Sequence, residues 1–71
     1  MRSWKESLYR VYRVLEEQAK KGEKEISINK LALLTDFSPL YLKIHLIPSL
    51  TDLFPCIKMS KGKVIFDCGE H

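Results

Sequence analysis

The chain is poor in residues that break or cross-link small folds: its 71 residues include three glycines, three prolines and two cysteines. It has no internal repeat, no low-complexity tract and no linker-like stretch, so a single domain is expected. Hydrophobic residues still make up 45% of the chain, which indicates a packed core rather than disorder. We predict one domain over residues 1–71, with its core at 3–67 and a frayed tail at 68–71.

Long apolar runs are also absent. No stretch approaches the length of a membrane span, and the N-terminal segment MRSWKESLYR lacks the apolar centre of a signal peptide. We therefore expect an intracellular, cytoplasmic protein with no membrane partner, in which Cys56 and Cys68 are free thiols. Gln18 and Asn29 are the only side-chain amides, which is compatible with a thermophilic, archaeal-like source, where intracellular disulfides are less rare.

The arrangements of side chains that support catalysis are missing. The sequence has no phosphate-binding loop, nucleophile elbow or pair of acids, and no carboxylate or thiol is spaced to orient His45. Cys56, Cys68 and His71 lack the paired spacing and the fourth ligand of a zinc site. We expect no enzyme activity, no cofactor, no metal and no small-molecule ligand.

The small net charge of +3 is unevenly placed. Residues 26–53 carry two basic and two acidic groups, and the excess returns at Lys58, Lys61 and Lys63. Lysines at these positions are able to neutralise nucleic-acid phosphates. They would equally keep the edge of a hairpin soluble.

Three helices are predicted from start signals and apolar spacing. Ser3 and Glu6 form a capping box for a helix over 3–21, whose apolar stripe begins at Trp4. This stripe would be core or a surface that pairs with a copy of itself. Ser27 or Asn29 starts a second helix over 28–36, and Ser38-Pro39 starts a third. Proline lacks the backbone N–H, so Pro48 is expected to kink or break the third helix, which Phe54-Pro55 ends.

The third helix is apolar on two opposite sides. On an α-helical wheel, one side carries Leu42, Leu46, Leu50 and Leu53, which we assign to the core. The opposite side carries Leu40, Ile44 and Ile47. A helix that is hydrophobic all round is usually covered all round, so this second side predicts a partner.

A β-hairpin is predicted to follow, with strands at 56–59 and 64–67. Alternation of apolar residues pairs Met59 with Val64 and Ile57 with Phe66, and leaves a tip at 60–63 where Gly62 supplies positive φ. This register places the two cysteines one residue out of opposition and on opposite faces. That is poor geometry for a disulfide, although a longer tip would align them.

The order helix, short strand, helix, turn, helix, hairpin resembles the winged helix–turn–helix family of prokaryotic and archaeal transcription regulators. The residues that carry the resemblance are Ile26-Ser27-Ile28, Leu31-Ala32, Thr35, Ser38, Leu42, His45-Leu46 and the hairpin tip Lys61-Gly62-Lys63. The resemblance implies an α+β, mostly helical fold with three helices, a short first strand and a C-terminal hairpin wing. It implies a cytoplasmic homodimer that binds double-stranded DNA.

The family resemblance and the chemistry of the side chains together give a set of expected DNA contacts. The third helix would lie in the major groove and the wing on the backbone. The expected contact residues are Lys30, Ser38, Tyr41, Lys43, Ile44, Lys58, Lys61 and Lys63. The family usually has Arg, Ser, Gln or Asn at the exposed positions of the third helix. This sequence departs from that pattern, since the segment reads PLYLKI.

The departure supports a second interpretation, in which the fold is a protein-interaction module or a small subunit of a replication or transcription complex. An exposed apolar patch is typical of such an interface. The residues assigned to it are Trp4, Leu40, Ile44 and Ile47.

Overall fold

The computed structural model describes residues 3–68, which form three helices and one three-stranded antiparallel sheet. The α+β, mostly helical class is therefore confirmed. The first part of the chain contains α1 (Trp4–Lys20), β1 (Glu25–Ser27) and α2 (Ile28–Thr35). The third helix is continuous over residues 39–53 and has three pieces, α3 (Pro39–Tyr41), a π-helical segment (Leu42–Leu46) and α4 (Ile47–Leu53). The hairpin strands are β2 (Ile57–Ser60) and β3 (Lys63–Phe66).

Serine hydroxyls start all three helices, as predicted. The Ser3 Oγ accepts a hydrogen bond from the Glu6 N–H at 3.1 Å, and the Ser27 Oγ accepts one from the Lys30 N–H at 3.1 Å. The Ser38 Oγ accepts from the Tyr41 N–H at 3.0 Å, with Pro39 in the first turn. Each hydroxyl satisfies an amide that has no partner within its helix, which fixes where the helix begins.

The sheet has the predicted hairpin register. Ile57 pairs with Phe66 and Met59 with Val64, and β1 adds to the other edge of β3 in the order β1-β3-β2. The tip turn consists of Lys61 at φ 52° and Gly62 at φ 76°. Positive φ at both central residues matches the right-handed twist of the flanking strands, so this two-residue turn holds the register.

One apolar core joins α1, α2, the third helix and the inner face of the sheet. Its fully buried members include Val11, Leu15, Leu31, Leu42, Leu46, Ile47, Leu50, Ile57 and Val64. Trp4, the first residue of the predicted α1 stripe, lies on the surface rather than in the core. It is 46% exposed because it is the first residue of α1, beyond the end of the buried stripe. Leu34 on α2 is also exposed.

The predicted core side of the third helix is correct for Leu42, Leu46 and Leu50, which are buried, and fails at Ile47 and Leu53. The Ile47 N–H donates to the carbonyl of Leu42, five residues back, and so closes a π turn. A π turn takes one more residue than an α turn, so Ile47 is carried round to the side of Leu42. Ile47 is therefore buried, at 1% exposure, and its predicted place in an exposed interface is wrong. The same rotation leaves Leu53 63% exposed instead of in the core.

Pro48 accounts for the position of this irregular segment. Proline has no N–H, and its ring clashes with the carbonyl four residues back in a regular α-helix. The predicted interruption takes the form of the wider π segment, which ends at Leu46, two residues before Pro48, and the helix then runs on to Leu53.

Cys56 and Cys68 form a disulfide, so the prediction of free thiols is wrong. The expected register is present, but β2 begins after Cys56 and β3 ends before Cys68. Face alternation therefore does not apply to these residues. The Asp67 N–H donates to the Cys56 carbonyl at 3.0 Å, and the cysteine Cα atoms lie 5.1 Å apart. Cys68 is thus anchored rather than frayed, and the rest of the predicted frayed tail, 69–71, lies outside the described residues.

Candidate nucleic-acid interface

The exposed side of the third helix near its start carries Leu40, Lys43 and Ile44, which we call the helix face. Leu40 is 65% exposed and Ile44 is 53% exposed, and Lys43 is exposed between them in sequence. Spacings of three and four residues place side chains next to each other on a helix surface. The helix face is therefore an apolar strip with one cation beside it.

Tyr41, which follows Leu40 on the third helix, belongs to a group of aromatic rings. Its ring centroid lies 5.7 Å from that of Phe37, 6.4 Å from that of Trp4 and 5.5 Å from that of His45. The Trp4 and Phe37 rings meet it edge-on, an arrangement that stabilises aromatic pairs. Tyr41 is half-buried, so it orients the start of the third helix against α1 and offers only part of its ring to a partner.

The hairpin presents three exposed lysines. Lys58 and Lys63 point to the outer face of the sheet, since their neighbours Ile57 and Val64 point inward, and Lys61 occupies the turn. Within residues 3–68 none of the three forms an ion pair. A shallow cleft of about 290 Å³ at the tip is lined by Glu25, Ser60, Lys61, Lys63 and Ile65. The cleft is net positive, although Glu25 offsets part of the charge.

The hairpin tip is attached to the start of α2. The Ile28 N–H donates to the Gly62 carbonyl at 2.9 Å. Lys30, in the first turn of α2, has its Nζ 3.7 Å from a carboxylate oxygen of Glu23. Lys30 thus already has a partner, whereas the hairpin lysines do not, and the hairpin offers more available positive charge.

The long helix α1 is less suited to bind phosphates. The Arg13 guanidinium lies over the Tyr9 ring, 5.6 Å from its centroid, and its Nη1 donates to the Tyr9 hydroxyl at 3.5 Å. This hydrogen bond raises the pKa of Arg13 above its ordinary value and holds the guanidinium against the Tyr9 side chain. Opposite charges four residues apart on α1, such as Glu6 and Arg10, form no ion pair in the described part of the chain. Acidic and basic groups nevertheless alternate along this helix and keep its surface mixed in charge.

A second exposed apolar surface, which the sequence did not predict, lies between α1 and the end of the third helix. This α1 groove has a volume of about 390 Å³ and is lined by Lys5, Leu8, Tyr9, Tyr12, Leu50, Leu53 and Phe54. The Tyr12 and Phe54 rings stack with centroids 4.8 Å apart. The signal in the sequence was the pair Tyr9 and Tyr12, three apart on α1, but Leu53 had been assigned to the core and Phe54 only to the helix end.

Two structural absences bear on the site. Over residues 3–68, no helix combines the length and the apolar character that crossing a bilayer requires. In the same range, no three His, Cys, Asp or Glu side chains converge on a point that would hold a metal ion.

Comparison of the chain with protein-family models, with curated proteins and with solved structures gives no match.

Proposed function

We propose that this protein is a winged-helix transcription regulator that binds double-stranded DNA. The observation that carries the proposal is the set of three exposed lysines, Lys58, Lys61 and Lys63, on the hairpin that follows the third helix. None of them has an acidic partner within residues 3–68. Unpaired cations on one exposed element are what phosphate contacts require.

The order of elements supports the winged-helix assignment. A short strand, β1, follows α1 and pairs with β3, while β2 and β3 form a hairpin directly after the third helix. In such an arrangement the third helix enters the major groove and the hairpin contacts the adjacent backbone.

Individual residues have distinct roles in this proposal. Lys43 and Ile44 face the bases, and Tyr41 supports them from behind. Ser38 uses its oxygen to accept from Tyr41, and its hydroxyl proton remains free to donate to a phosphate. Lys30 contacts a phosphate only by exchanging Glu23 for it, so its contribution is smaller than that of the hairpin.

A homodimer belongs to the proposal because regulators of this kind read two half-sites related by twofold symmetry. Sedimentation velocity of the protein, alone and with duplex, measures the number of chains per complex. A single chain on every duplex would remove the dimer from the proposal.

The salt dependence of duplex binding tests the proposed function. With about four phosphate contacts, affinity should fall roughly a hundredfold between about 50 and about 200 mM salt, because each contact releases a condensed counterion. Titration of a fluorescent duplex by anisotropy measures this. An affinity that stays flat with salt contradicts the proposal.

A protein-interaction module is the second candidate, because Trp4, Leu40 and Ile44 are exposed apolar side chains, and the Trp4 ring packs against Tyr41, the residue after Leu40. In that case the helix face would contact protein, and duplex binding would be absent even at low salt. Ile44→Glu separates the candidates: it should give a folded chain in both, abolish DNA binding in the first, and change only protein association in the second.

A further inference from the structure

The helix face lacks the side chains that usually read bases by hydrogen bonding. Residues 39–53 contain no Arg, Asn or Gln, and the exposed polar groups near Leu40 and Ile44 are Lys43 and His45. Bidentate hydrogen bonds to guanine come mainly from Arg, and those to adenine come from Asn or Gln. A duplex therefore meets mostly aliphatic surface at this face.

One cation, Lys43, lies beside the aliphatic strip. The hairpin lysines add positive charge on a separate exposed element and are unpaired within residues 3–68. Asp36 and Asp52 are the only acidic groups in residues 26–53, and both lie outside the segment 39–46. The partner that fits is an anionic surface with apolar groups between its charges.

The major groove of DNA has one such apolar group, the C5-methyl of thymine. We propose that Leu40 and Ile44 contact thymine methyl groups and make the protein selective for A·T base pairs, an inference that rests on the DNA binding proposed above. Side chains four apart on a helix have Cβ atoms about 5–6 Å apart, and successive base pairs rise about 3.4 Å. Two methyl groups one or two steps apart would therefore be contacted together.

Four short duplexes of equal length test this selectivity. The first alternates A and T, and the second replaces every thymine by uracil, which removes the methyl and keeps the pairing. The third alternates G and C, and the fourth carries 5-methylcytosine, which places a methyl at the corresponding position of the major groove. Each buried methyl should strengthen binding about fourfold, so loss of two should weaken it roughly fifteenfold.

Variants of the helix face show whether these side chains are responsible. Leu40→Ala with Ile44→Ala should bring the thymine-to-uracil affinity ratio close to one, while the slope of affinity with salt stays unchanged. Leu53→Ala is the matched control, because Leu53 is a leucine of the same helix with nearly the same exposure, 63% against 65% for Leu40. Leu53→Ala should keep the full ratio.

The outcomes separate this inference from the proposed function. Binding that prefers thymine over uracil and 5-methylcytosine over cytosine, and loses both preferences in the double variant, supports the inference. Salt-dependent binding with equal affinity for thymine and uracil overturns it and leaves DNA binding in place. A preference that persists in the double variant also overturns it, because the methyl would then be sensed elsewhere. No duplex binding at low salt overturns both, and points to a protein on the helix face.

Discussion

The two ends of the third helix both expose apolar side chains, but they offer them in different ways. The helix face at the start is convex, with Leu40 and Ile44 projecting next to Lys43. The α1 groove at the other end is concave, and its aromatic walls come from α1 and Phe54. Lys5 is the one charged residue that lines it.

The helix face and the α1 groove are both apolar, but they differ in shape and in charge. A projecting strip with a lysine beside it fits a groove in an anionic partner. A cavity with aromatic walls fits a side chain. The π segment separates the two, because it turns Ile47 inward and Leu53 outward along one continuous helix.

The largest effect on stability is expected at Ile47, which lies between the two exposed ends of the third helix. Ile47→Ala should lower the free energy of unfolding by about 2–5 kcal/mol, because it opens a cavity beside Leu42 and Leu46. Urea denaturation measures this. Ile44→Ala is the control, and should change stability by less than about 0.5 kcal/mol because the side chain is half-exposed. Equal losses of stability for the two isoleucine variants would mean that the π segment does not determine which side chains of the third helix are buried.

Removal of the disulfide should be the next largest effect. Cys56→Ala with Cys68→Ala opens a covalent link between residues 12 apart in sequence. Its loss should lower stability by about 3 kcal/mol, chiefly through the entropy of the unfolded chain. Reduction of the wild type by a dithiol should give the same shift in melting, and the double variant should not respond to the dithiol. Cys68 lies near Tyr12 and Phe66, so binding through the helix face should be retained while the protein is folded.

Lys61→Ala with Lys63→Ala tests the contribution of the hairpin tip to DNA binding. Duplex affinity should fall about tenfold or more, and the salt slope should decrease by about two, because two phosphate contacts are lost. Thermal denaturation should show little change, since both side chains are exposed. Lys20→Ala with Lys21→Ala removes the same charge from the end of α1 and should leave affinity nearly unchanged. Unchanged affinity in the hairpin variant would exclude the hairpin from DNA binding.

The smallest effect is expected at the far end of the helix. Leu53→Glu should leave stability within about 0.5 kcal/mol and duplex affinity within about twofold, since Leu53 is exposed and distant in sequence from the helix face. Leu40→Glu places the same charge on the helix face and should repel phosphates. Equal loss of affinity in both variants would show that the helix face and the α1 groove contribute equally to DNA binding.

The hairpin and the helix starts were predictable because their signals are local. Face alternation in the strands and Gly62 in a two-residue turn leave one register, and Ser3, Ser27 and Ser38 cap helices through contacts within three residues. The set of buried residues on the third helix was not predictable, because a helical wheel assumes the same rotation angle for every residue. Pro48 signalled an irregularity, but its form as a π turn depends on how Leu42 and Ile47 pack.

The candidate site was predictable in the same uneven way. The exposed positions of Leu40, Lys43, Ile44 and the three hairpin lysines agree with prediction, while their binding partners stay predictions. The α1 groove depends on contacts between elements distant in sequence, and the Lys30–Glu23 pair depends on how the chain folds back through β1 between these two residues. The disulfide depends on the path of residues 67 and 68 beyond the ladder, which strand alternation does not describe.

The disulfide also makes the hairpin part of a closed covalent ring. The ring runs from Cys56 through both strands and the tip to Cys68, and its exposed tip contains Lys61 and Lys63. A single cut after Lys61 or Lys63 will therefore open the tip without releasing a fragment, since the two new ends remain joined through the disulfide. The cut chain will keep both strands at high effective concentration, and will separate into two pieces only after reduction.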